Sequence, residues 1–293
     1  MYDYHQKYAQ YLETFENYLN NYANGWRTQP AVLADAMRYS LLSGGKRVRP
    51  VLMLAVAEAL GVAQEDVLPY AVALEMIHTY SLIHDDLPAM DNDDFRRGKP
   101  SCHKAFGEAY AILAGDALLN QAFSLLLDSA MKGENFAVAG KMLSELAGMN
   151  GMIVGQVADL YYTEGDDEIG EETLAYVQEN KTGKLLLAPV LIPSVLADNR
   201  SFFRLEQFGK ALGRLFQITD DILDVVGEFE ELGKSIGKDE NADKLTGVKV
   251  YGLNGAMLRA DDCLVKCLAV LEDMDCDTQF LGDLARYVRE RKK

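Results

Sequence analysis

The chain has 293 residues, of which 49% are hydrophobic and 25% are charged, so it carries enough apolar side chain for a large globular core. Its formal net charge of −16 disfavours nucleic acid or an anionic membrane as a partner. No run of about 18 apolar residues occurs, and the polar, aromatic stretch 1–22 lacks the pattern of a signal peptide. We therefore expect no membrane and no nucleic-acid partner.

The elements predicted in chain order are almost all helices. Helical spacing begins in 1–22, and apolar residues recur at steps of three and four over 50–60, 69–84, 108–131 and 202–226. Pro50 and Pro69 stand where first helical turns are expected to begin. The segment VKVYGL (248–253) is the one short strand candidate.

Several of these helices are apolar on most sides, which places them inside a bundle. The sequence therefore predicts an all-α fold: a single domain over 1–293, built as one large helical bundle with a polar mouth at one end.

The chain has four cysteines, Cys102, Cys263, Cys267 and Cys276. They form no CxxC pair and have no histidine nearby, so neither a redox motif nor a zinc site is indicated. We interpret them as inert thiols in a reducing cytosol, and we expect a cytoplasmic protein.

The segment LIHDDLPAMDNDDFRRGKP (82–100) combines many acidic and basic residues after an apolar helix. Asp85 and Asp86 lie near the end of that helix, which Pro88 terminates, and the chain then bends to bring Asp91 back. His78 precedes Asp85 by seven residues and shares its helical face. An EF-hand calcium loop starting at Asp91 fails, because Phe95, Arg96 and Cys102 occupy its key positions.

A second acidic cluster lies in QITDDILD, inside an apolar helix. Gln217, Asp220 or Asp221, and Asp224 are three and four residues apart and share a stripe. Carboxylates are costly to bury without a partner, so the two clusters together indicate a shared cation. Mg²⁺ fits, because it binds through one or two carboxylates plus water and phosphate oxygens. The alternative reading is solvated helix ends with capping aspartates.

Basic residues accompany these clusters. Lys46, Arg47 and Arg49 precede a helix, and Arg96 and Arg97 follow the first aspartates. Further cations and a hydroxyl lie in loops or at helix ends, at Lys181, Thr182 and Lys234. Each alone is typical of a soluble surface, but together with metal-binding carboxylates they indicate a site for a diphosphate, whose oxygens arginine binds bidentately.

The motifs GGKRVRP, LIHDDLPAMDNDDFRRGKP, GQVADL, KTGKLL and QITDDILDVVG resemble those of the trans-isoprenyl diphosphate synthases in order and spacing. The resemblance runs from about residue 30 to the C-terminus and is greatest to the bacterial farnesyl diphosphate synthases, whose first motif has two extra residues between its aspartates. One departure is Gly247, where the family usually has an aromatic residue.

The resemblance implies an all-α bundle around a deep central cavity, usually a homodimer, with isopentenyl and allylic diphosphates as substrates. It implies three Mg²⁺ ions, which Mn²⁺ can replace, held by Asp85, Asp91, Asp220 and Asp224 with support from Asp86 and Asp221. Arg96, Lys181 and Lys234 would contact the allylic diphosphate, and Thr182 and Gln217 would face the breaking bond. The implied isopentenyl diphosphate ligands are Lys46, Arg49, His78 and Arg97.

The implied reaction is the condensation of isopentenyl diphosphate with dimethylallyl and then geranyl diphosphate. Tyr80 and Ser81, five and four residues before Asp85, are expected to limit product length, and Tyr80 favours farnesyl diphosphate. A geranylgeranyl diphosphate synthase is the alternative. A terpene cyclase or lyase would not need Lys46, Arg49 and His78, and a non-catalytic partner subunit would be expected to lack one aspartate cluster, whereas both are intact.

Overall fold

The computed structural model describes residues 2–164, 170–226 and 246–291. Within these ranges the chain is helical apart from turns, loops and two strands of two residues each, so the all-α prediction is confirmed. Two compact units are present, Met1–Lys141 and Met142–Lys293, and each is described by itself. A single domain over 1–293 remains a prediction.

The first unit contains α1 to α6, a two-stranded hairpin and the start of α7. Their bounds are Tyr4–Asn24 (α1), Val32–Leu41 (α2), Val48–Leu60 (α3), Gln64–Asp85 (α4), Phe95–Arg96 (β1), Lys99–Pro100 (β2), Cys102–Phe106 (α5), Glu108–Ala130 (α6) and Glu134–Ala147 (α7).

Helices α3 and α4 form the core of the first unit, and most of their residues are buried. Burial on all sides explains why these segments lack a strong polar face in the sequence. Pro50 lies in the first turn of α3, as predicted. The prediction for Pro69 was wrong: α4 begins at Gln64, so Pro69 lies inside the helix.

The hairpin of β1 and β2 was not predicted. Its strands pair antiparallel, with Phe95 opposite Pro100 and Arg96 opposite Lys99. Arg97 and Gly98 form the turn, and both have positive φ, 54° and 75°, as a two-residue type I′ turn requires. The hairpin therefore gives Arg96 and Arg97, the two adjacent arginines of segment 82–100, a defined backbone conformation.

The second unit contains the remaining helices. Their bounds are Met152–Glu164 (α8), Glu171–Gln178 (α9), a π-helical turn at Glu179–Gly183, Lys184–Leu196 (α10), Phe202–Val226 (α11), Gly247–Glu272 (α12) and Gln279–Glu290 (α13). Helix α11 begins and ends where the apolar periodicity predicted, and it packs against both α10 and α12.

The strand prediction for 248–253 was wrong, because these residues form the start of α12. Thr246 caps the helix, and its Oγ1 accepts a hydrogen bond from the Lys249 N–H at 3.2 Å. Gly252 has φ 69° and kinks the helix. The alternation of valines that suggested a strand therefore belongs to a capped and kinked helix.

All four cysteines are free thiols, and burial raises the pKa of each, which agrees with their interpretation as inert. Among the described helices, α6 is long and apolar enough to cross a membrane by length and composition alone, a test that core helices also pass. One face of α6 packs against α4 and α2.

Candidate active site

The turn after α4 brings two of the predicted metal ligands together. The backbone N–H of Asp91 donates to the carbonyl oxygen of Asp85 at 2.8 Å, and the Asn92 N–H donates to Leu87 at 3.1 Å. Asn92 has φ 50°, which tightens the turn. Asp85 and Asp91, six residues apart in sequence, are therefore neighbours, as the bend at Pro88 predicted.

Asp86 occupies a different environment from Asp85 and Asp91. It is 2% exposed, and its carboxylate accepts hydrogen bonds from Nε and Nη2 of Arg96, with the Nε–Oδ1 distance at 3.0 Å. Arg96 also contacts Asp93 at 3.2 Å. Asp86 thus anchors Arg96 beside the acidic turn, and its predicted support of the metal site stays a prediction, as does direct metal contact by Asp85 and Asp91.

The glycine pair of GGKRVRP receives Arg97. Nη1 of Arg97 donates to the carbonyl oxygen of Gly44, and a Cβ on Gly45 would lie 2.9 Å from Cζ of Arg97. Gly45 has φ 121°, a conformation that other residues rarely adopt. The two glycines therefore allow the guanidinium to lie directly against the loop backbone.

The basic residues of this loop do not share one role. Arg47 is buried and bound on several sides by protein groups, so it is structural. Lys46 is exposed, and its carbonyl oxygen accepts a hydrogen bond from the Tyr8 hydroxyl at 2.5 Å. Arg49 and Lys46 remain the candidates for anion binding on this segment.

His78 lies in a strongly positive environment. Burial lowers its pKa well below the ordinary value, and the charges of Arg49, Arg97, Arg47 and Arg96 lower it further. Its imidazole is therefore neutral at pH 7. These four arginines lie at the N-terminal end of α3 and in the hairpin, so the positive charges of two separate segments act on His78.

Tyr80, one of the two predicted length-determining residues, is 6% exposed. Its ring meets the imidazole of His84 edge-on, with centroids 5.7 Å apart. His84 in turn lies against Gly115 of α6 so closely that a Cβ there would overlap the ring. Burial, followed by the charge of Asp85, raises the pKa of Tyr80 to about 12. Ser81 donates to the His78 carbonyl at 2.9 Å.

In the second unit, Asp221 accepts three hydrogen bonds. Gln217 donates to Oδ1 at 2.8 Å, while the Gln178 amide and the Gly247 N–H donate to Oδ2 at 3.0 and 2.6 Å. Thr182 donates to the Gln217 amide oxygen at 2.8 Å. The structure therefore joins the predicted residues Thr182, Gln217 and Asp221 in one chain of hydrogen bonds.

The π-helical turn presents Lys181 and Thr182. Such turns are uncommon and frequently occur at functional sites. Two glycines make room for this one: a Cβ on Gly155 would overlap the Lys181 backbone, and a Cβ on Gly213 would lie 3.1 Å from Cα of Gly183. The sequence placed Lys181 and Thr182 in a loop or at a helix end, and the structure corrects this to a helical turn packed between α8 and α11.

The ammonium group of Lys181 lies 2.6 Å from Oδ2 of Asp159, which belongs to the GQVADL segment of α8. Sequence reasoning assigned no role to Asp159, although its motif was noted. Gln178 was also missed, because its contact with Asp221 joins residues 43 positions apart. Lys234, predicted as a further diphosphate ligand, lies outside the described residues.

Asp220 and Asp224 differ in exposure. The Asp220 side chain is 46% exposed and accepts a hydrogen bond from Nη2 of Arg291 at 2.8 Å. The Arg291 guanidinium lies 4.0 Å from the centroid of the Phe216 ring on the same helix as Asp220. Asp224, one turn along, is 3% exposed. Arg291 was not among the predicted site residues.

The donor set fits Mg²⁺. Each cluster offers hard carboxylate oxygens, at Asp85 and Asp91 and at Asp220 and Asp224. Across the described ranges, no group of three or more His, Cys, Asp or Glu residues is arranged to hold a metal on its own. Mg²⁺ that is bound by one or two carboxylates together with substrate phosphates needs no such group, whereas a protein-only Ca²⁺ or Zn²⁺ site does.

Comparisons with known proteins identify the family of the chain. Farnesyl diphosphate synthase of Micrococcus luteus is 42% identical over 282 residues, which cover 95% of this chain and 96% of that protein. A chloroplastic geranylgeranyl pyrophosphate synthase of Capsicum annuum is 47% identical over 232 residues, 78% of this chain and 63% of that protein. The crystal structure of a Helicobacter pylori geranyltransferase, complexed with magnesium and isoprenyl diphosphate, has a TM-score of 0.85 at 34% identity and covers 98% and 97% of the two chains. The polyprenyl synthetase family model matches residues 30–277, and the chain belongs to that family.

Proposed function

We propose that this chain is a farnesyl diphosphate synthase that condenses isopentenyl diphosphate with dimethylallyl diphosphate and then with geranyl diphosphate. The observation that carries the proposal is the turn that joins Asp85 and Asp91 beside the arginine-bearing hairpin. Farnesyl diphosphate synthases of two further bacteria, Haemophilus influenzae and Geobacillus stearothermophilus, are 43% identical to the chain.

The reaction breaks the bond between C1 and oxygen of the allylic diphosphate and forms a bond from C1 to C4 of isopentenyl diphosphate. Inorganic diphosphate and one proton are released. Asp85, Asp91, Asp220 and Asp224 would hold Mg²⁺, which would supply Lewis-acid stabilisation for the leaving diphosphate. We also propose that three ions bind, the number that the resemblance implies, and that Mn²⁺ can replace Mg²⁺.

The cations of the two units give the diphosphate oxygens further partners. Arg96 is held by Asp86, and Lys181 is held by Asp159, so each is oriented before substrate binds. Preoriented charge stabilises the negative charge that develops on the leaving group without reorganisation during the reaction. We assign both residues, with Lys234, to the allylic diphosphate.

Thr182 and Gln217 are assigned to the breaking carbon–oxygen bond. Their mutual hydrogen bond and the bond from Gln217 to Asp221 fix both side chains. Their oxygen dipoles suit a developing allylic cation. The released diphosphate is the proposed proton acceptor, since it is a basic anion formed next to the cationic intermediate.

Isopentenyl diphosphate is assigned to Lys46, Arg49, His78 and Arg97. The convergence of arginine charge on His78 supports this assignment, because that charge lowers the imidazole pKa and an incoming diphosphate would neutralise it. A second diphosphate site also distinguishes a chain-elongating enzyme from a terpene cyclase, which binds one diphosphate.

We further propose a cytoplasmic homodimer. Helix α6 leaves Tyr110, Leu113 and Leu127 exposed along one side, and large apolar side chains in a row are typical of an interface. Sedimentation of the purified protein tests the dimer. Leu113→Glu is expected to yield monomers, whereas Leu258→Glu, at an exposed leucine on α12, is not.

A geranylgeranyl diphosphate synthase is the second candidate, favoured by the 47% identity with the Capsicum annuum enzyme. Incubation with isopentenyl and dimethylallyl diphosphates, followed by chain-length analysis, decides between the two. Farnesyl diphosphate as the main product supports the proposal, and geranylgeranyl diphosphate supports the alternative. A cyclised hydrocarbon would indicate a terpene cyclase, and no product would indicate a partner subunit.

A further inference from the structure

We infer that Glu75 is a positioning residue of the isopentenyl diphosphate site and that it acts on the substrate through Arg97. The inference deepens the proposed function and rests on its assignment of Arg97 to isopentenyl diphosphate. Glu75 lies in α4, three residues before His78, and belongs to none of the acidic motifs.

Glu75 is a buried carboxylate between two arginines. It is 2% exposed, and its Oε1 lies 2.5 Å from Nη1 of Arg47 and 3.8 Å from Nη2 of Arg97. An isolated buried carboxylate is strongly unfavourable, so this position requires the paired positive charge. A residue placed here only to fill the core would be apolar.

Arg47 is fully used by the protein. Its Nε donates to Glu16 at 2.8 Å, its Nη1 to Glu75, and its Nη2 to the Leu41 carbonyl at 2.7 Å. Its side chain is inaccessible to solvent. Arg47 therefore holds Glu75 in place and cannot itself bind a ligand.

Arg97 differs from Arg47 in being accessible. Its side chain is 22% exposed, and its Nη1 donates to the Gly44 carbonyl. One edge of the guanidinium is thus held by backbone and by the charge of Glu75, while part of the group stays open to a ligand. This is the arrangement expected of a guanidinium oriented for a diphosphate.

Both arginines also have unusual backbone conformations. Arg47 has φ 51° and Arg97 has φ 54°, in the left-handed region that residues other than glycine rarely occupy. Such conformations persist where surrounding contacts compensate for them, and they concentrate at functional sites. Here two arginines in this conformation, 50 positions apart in sequence, meet one carboxylate.

Neutralising Glu75 has opposite expected effects on diphosphate binding, depending on whether Glu75 acts only through its charge or by orienting Arg97. Removing a negative charge next to an anion site would strengthen diphosphate binding if only net charge mattered. Burial and the positive charges of Arg47 and Arg96 lower the pKa of Arg97, and the charges of Glu75 and, more weakly, of Glu16 oppose them. Without Glu75, the repulsion from these neighbours would drive Arg97 away from its present orientation, and diphosphate binding would weaken.

The test compares Glu75→Gln with Glu16→Gln. Both changes neutralise a carboxylate that pairs with Arg47, but of the two only Glu75 lies within 4 Å of Arg97, on which the charge of Glu16 acts more weakly. For Glu75→Gln we expect the KM for isopentenyl diphosphate to rise about tenfold, the scale of one charge-assisted hydrogen bond, with the KM for dimethylallyl diphosphate unchanged. Glu16→Gln, which removes a charge that acts on Arg97 more weakly, should raise the KM for isopentenyl diphosphate much less and leave the KM for dimethylallyl diphosphate unchanged. Glu75→Asp, which keeps the charge but shortens the side chain, should raise the KM for isopentenyl diphosphate in the same way and serves if Glu75→Gln does not fold.

A double-mutant cycle with Arg97→Ala tests whether Glu75 affects isopentenyl diphosphate binding through Arg97. If Glu75 acts through Arg97, adding Glu75→Gln to Arg97→Ala raises the KM for isopentenyl diphosphate no further. A lowered or unchanged KM in Glu75→Gln, an equal rise in Glu16→Gln, or effects that multiply in the double variant would each overturn the inference. Failure of the proposed function is separate, because the wild-type protein would then make geranylgeranyl diphosphate, a cyclised hydrocarbon or no product instead of farnesyl diphosphate.

Discussion

The backbone N–H of Gly247 donates to Oδ2 of Asp221 at 2.6 Å, which joins the first turn of α12 to the C-terminal part of α11. A Cβ at position 247 would lie 3.1 Å from the same oxygen, closer than side chains usually approach. The glycine that departs from the family pattern therefore makes direct contact with the acidic motif. Asp221 therefore has a structural role, because its carboxylate binds Gln178, Gln217 and Gly247, whereas Asp220 and Asp224 are the proposed metal ligands.

Asp221→Ala is expected to destabilise the protein. The change leaves the Gln178 amide and the Gly247 N–H buried without their acceptor, and each orphaned donor costs about 1–3 kcal/mol. Denaturant unfolding should show a decrease of at least about 2 kcal/mol in the free energy of unfolding. Glu206→Ala on the same helix, at an ion pair with the exposed Lys210, is the control and should cost about 1 kcal/mol or less. Equal stability of Asp221→Ala and wild type would contradict this role.

The two diphosphate assignments predict different kinetic effects. Arg49→Ala should raise the KM for isopentenyl diphosphate, and Lys181→Ala should raise the KM for the allylic substrate. Each loses a charge-assisted contact of about 1.5–3 kcal/mol, equivalent to roughly a tenfold change or more. Steady-state kinetics with one substrate varied at a time measures both. If each variant affects both substrates equally, the division into two sites is wrong.

His78 predicts a specific loss of stability in acid. Its folded pKa lies well below the unfolded value of about 6.5, so below that pH the unfolded chain takes up a proton that the folded protein refuses. The free energy of unfolding therefore decreases as the pH is lowered, and His78 contributes up to about 2 kcal/mol of this decrease between pH 6.5 and pH 5. Urea unfolding at pH 5 and 8 should show a smaller loss for His78→Gln than for wild type. Identical losses would show that His78 titrates normally.

The helices and the acidic clusters could be predicted because their signals are local. Apolar periodicity located α3, α4, α6 and α11, and Pro88 indicated the turn that returns Asp91 to Asp85. The error at 248–253 has a local cause as well. Valines at alternate positions favour a strand, but the Thr246 side chain caps a helix at this point, and the helix continues beyond the kink at Gly252.

The buried charge pairs could not be predicted, because they depend on tertiary contacts. Nothing near Glu75 in the sequence indicates Arg47, and nothing near Lys181 indicates Asp159, which lies 22 positions away. Sequence reasoning therefore grouped Arg47 with the ligand-binding cations. The structure separates a buried Arg47 from an accessible Arg97, a distinction that residue type alone does not contain.

Removal of divalent cations should abolish prenyl transfer. The donor set offers carboxylates in pairs, which suit Mg²⁺ or Mn²⁺ together with substrate phosphates. Treatment with excess EDTA should stop product formation, and Mg²⁺ should restore it. In thermal unfolding, Mg²⁺ with inorganic diphosphate should raise the Tm, and Asp85→Asn should weaken this increase. Full activity after exhaustive chelation would rule out the metal site.

Tyr80 is expected to set the length of the product. Its ring is buried against His84, and His84 is fixed against Gly115, so the tyrosine cannot move without displacing packed neighbours. It lies five residues before Asp85, a little more than one helical turn from the metal-binding end of α4. Displacing such a ring costs about 1–3 kcal/mol, enough to slow addition of a further isoprene unit strongly. Tyr80→Ala should therefore shift the main product from farnesyl to geranylgeranyl diphosphate or longer, measured by chain-length analysis. Tyr80→Phe keeps the ring and should keep farnesyl diphosphate. An alanine variant that still stops at farnesyl diphosphate with normal turnover would place the limit elsewhere and would remove the main residue-level argument against a geranylgeranyl diphosphate synthase.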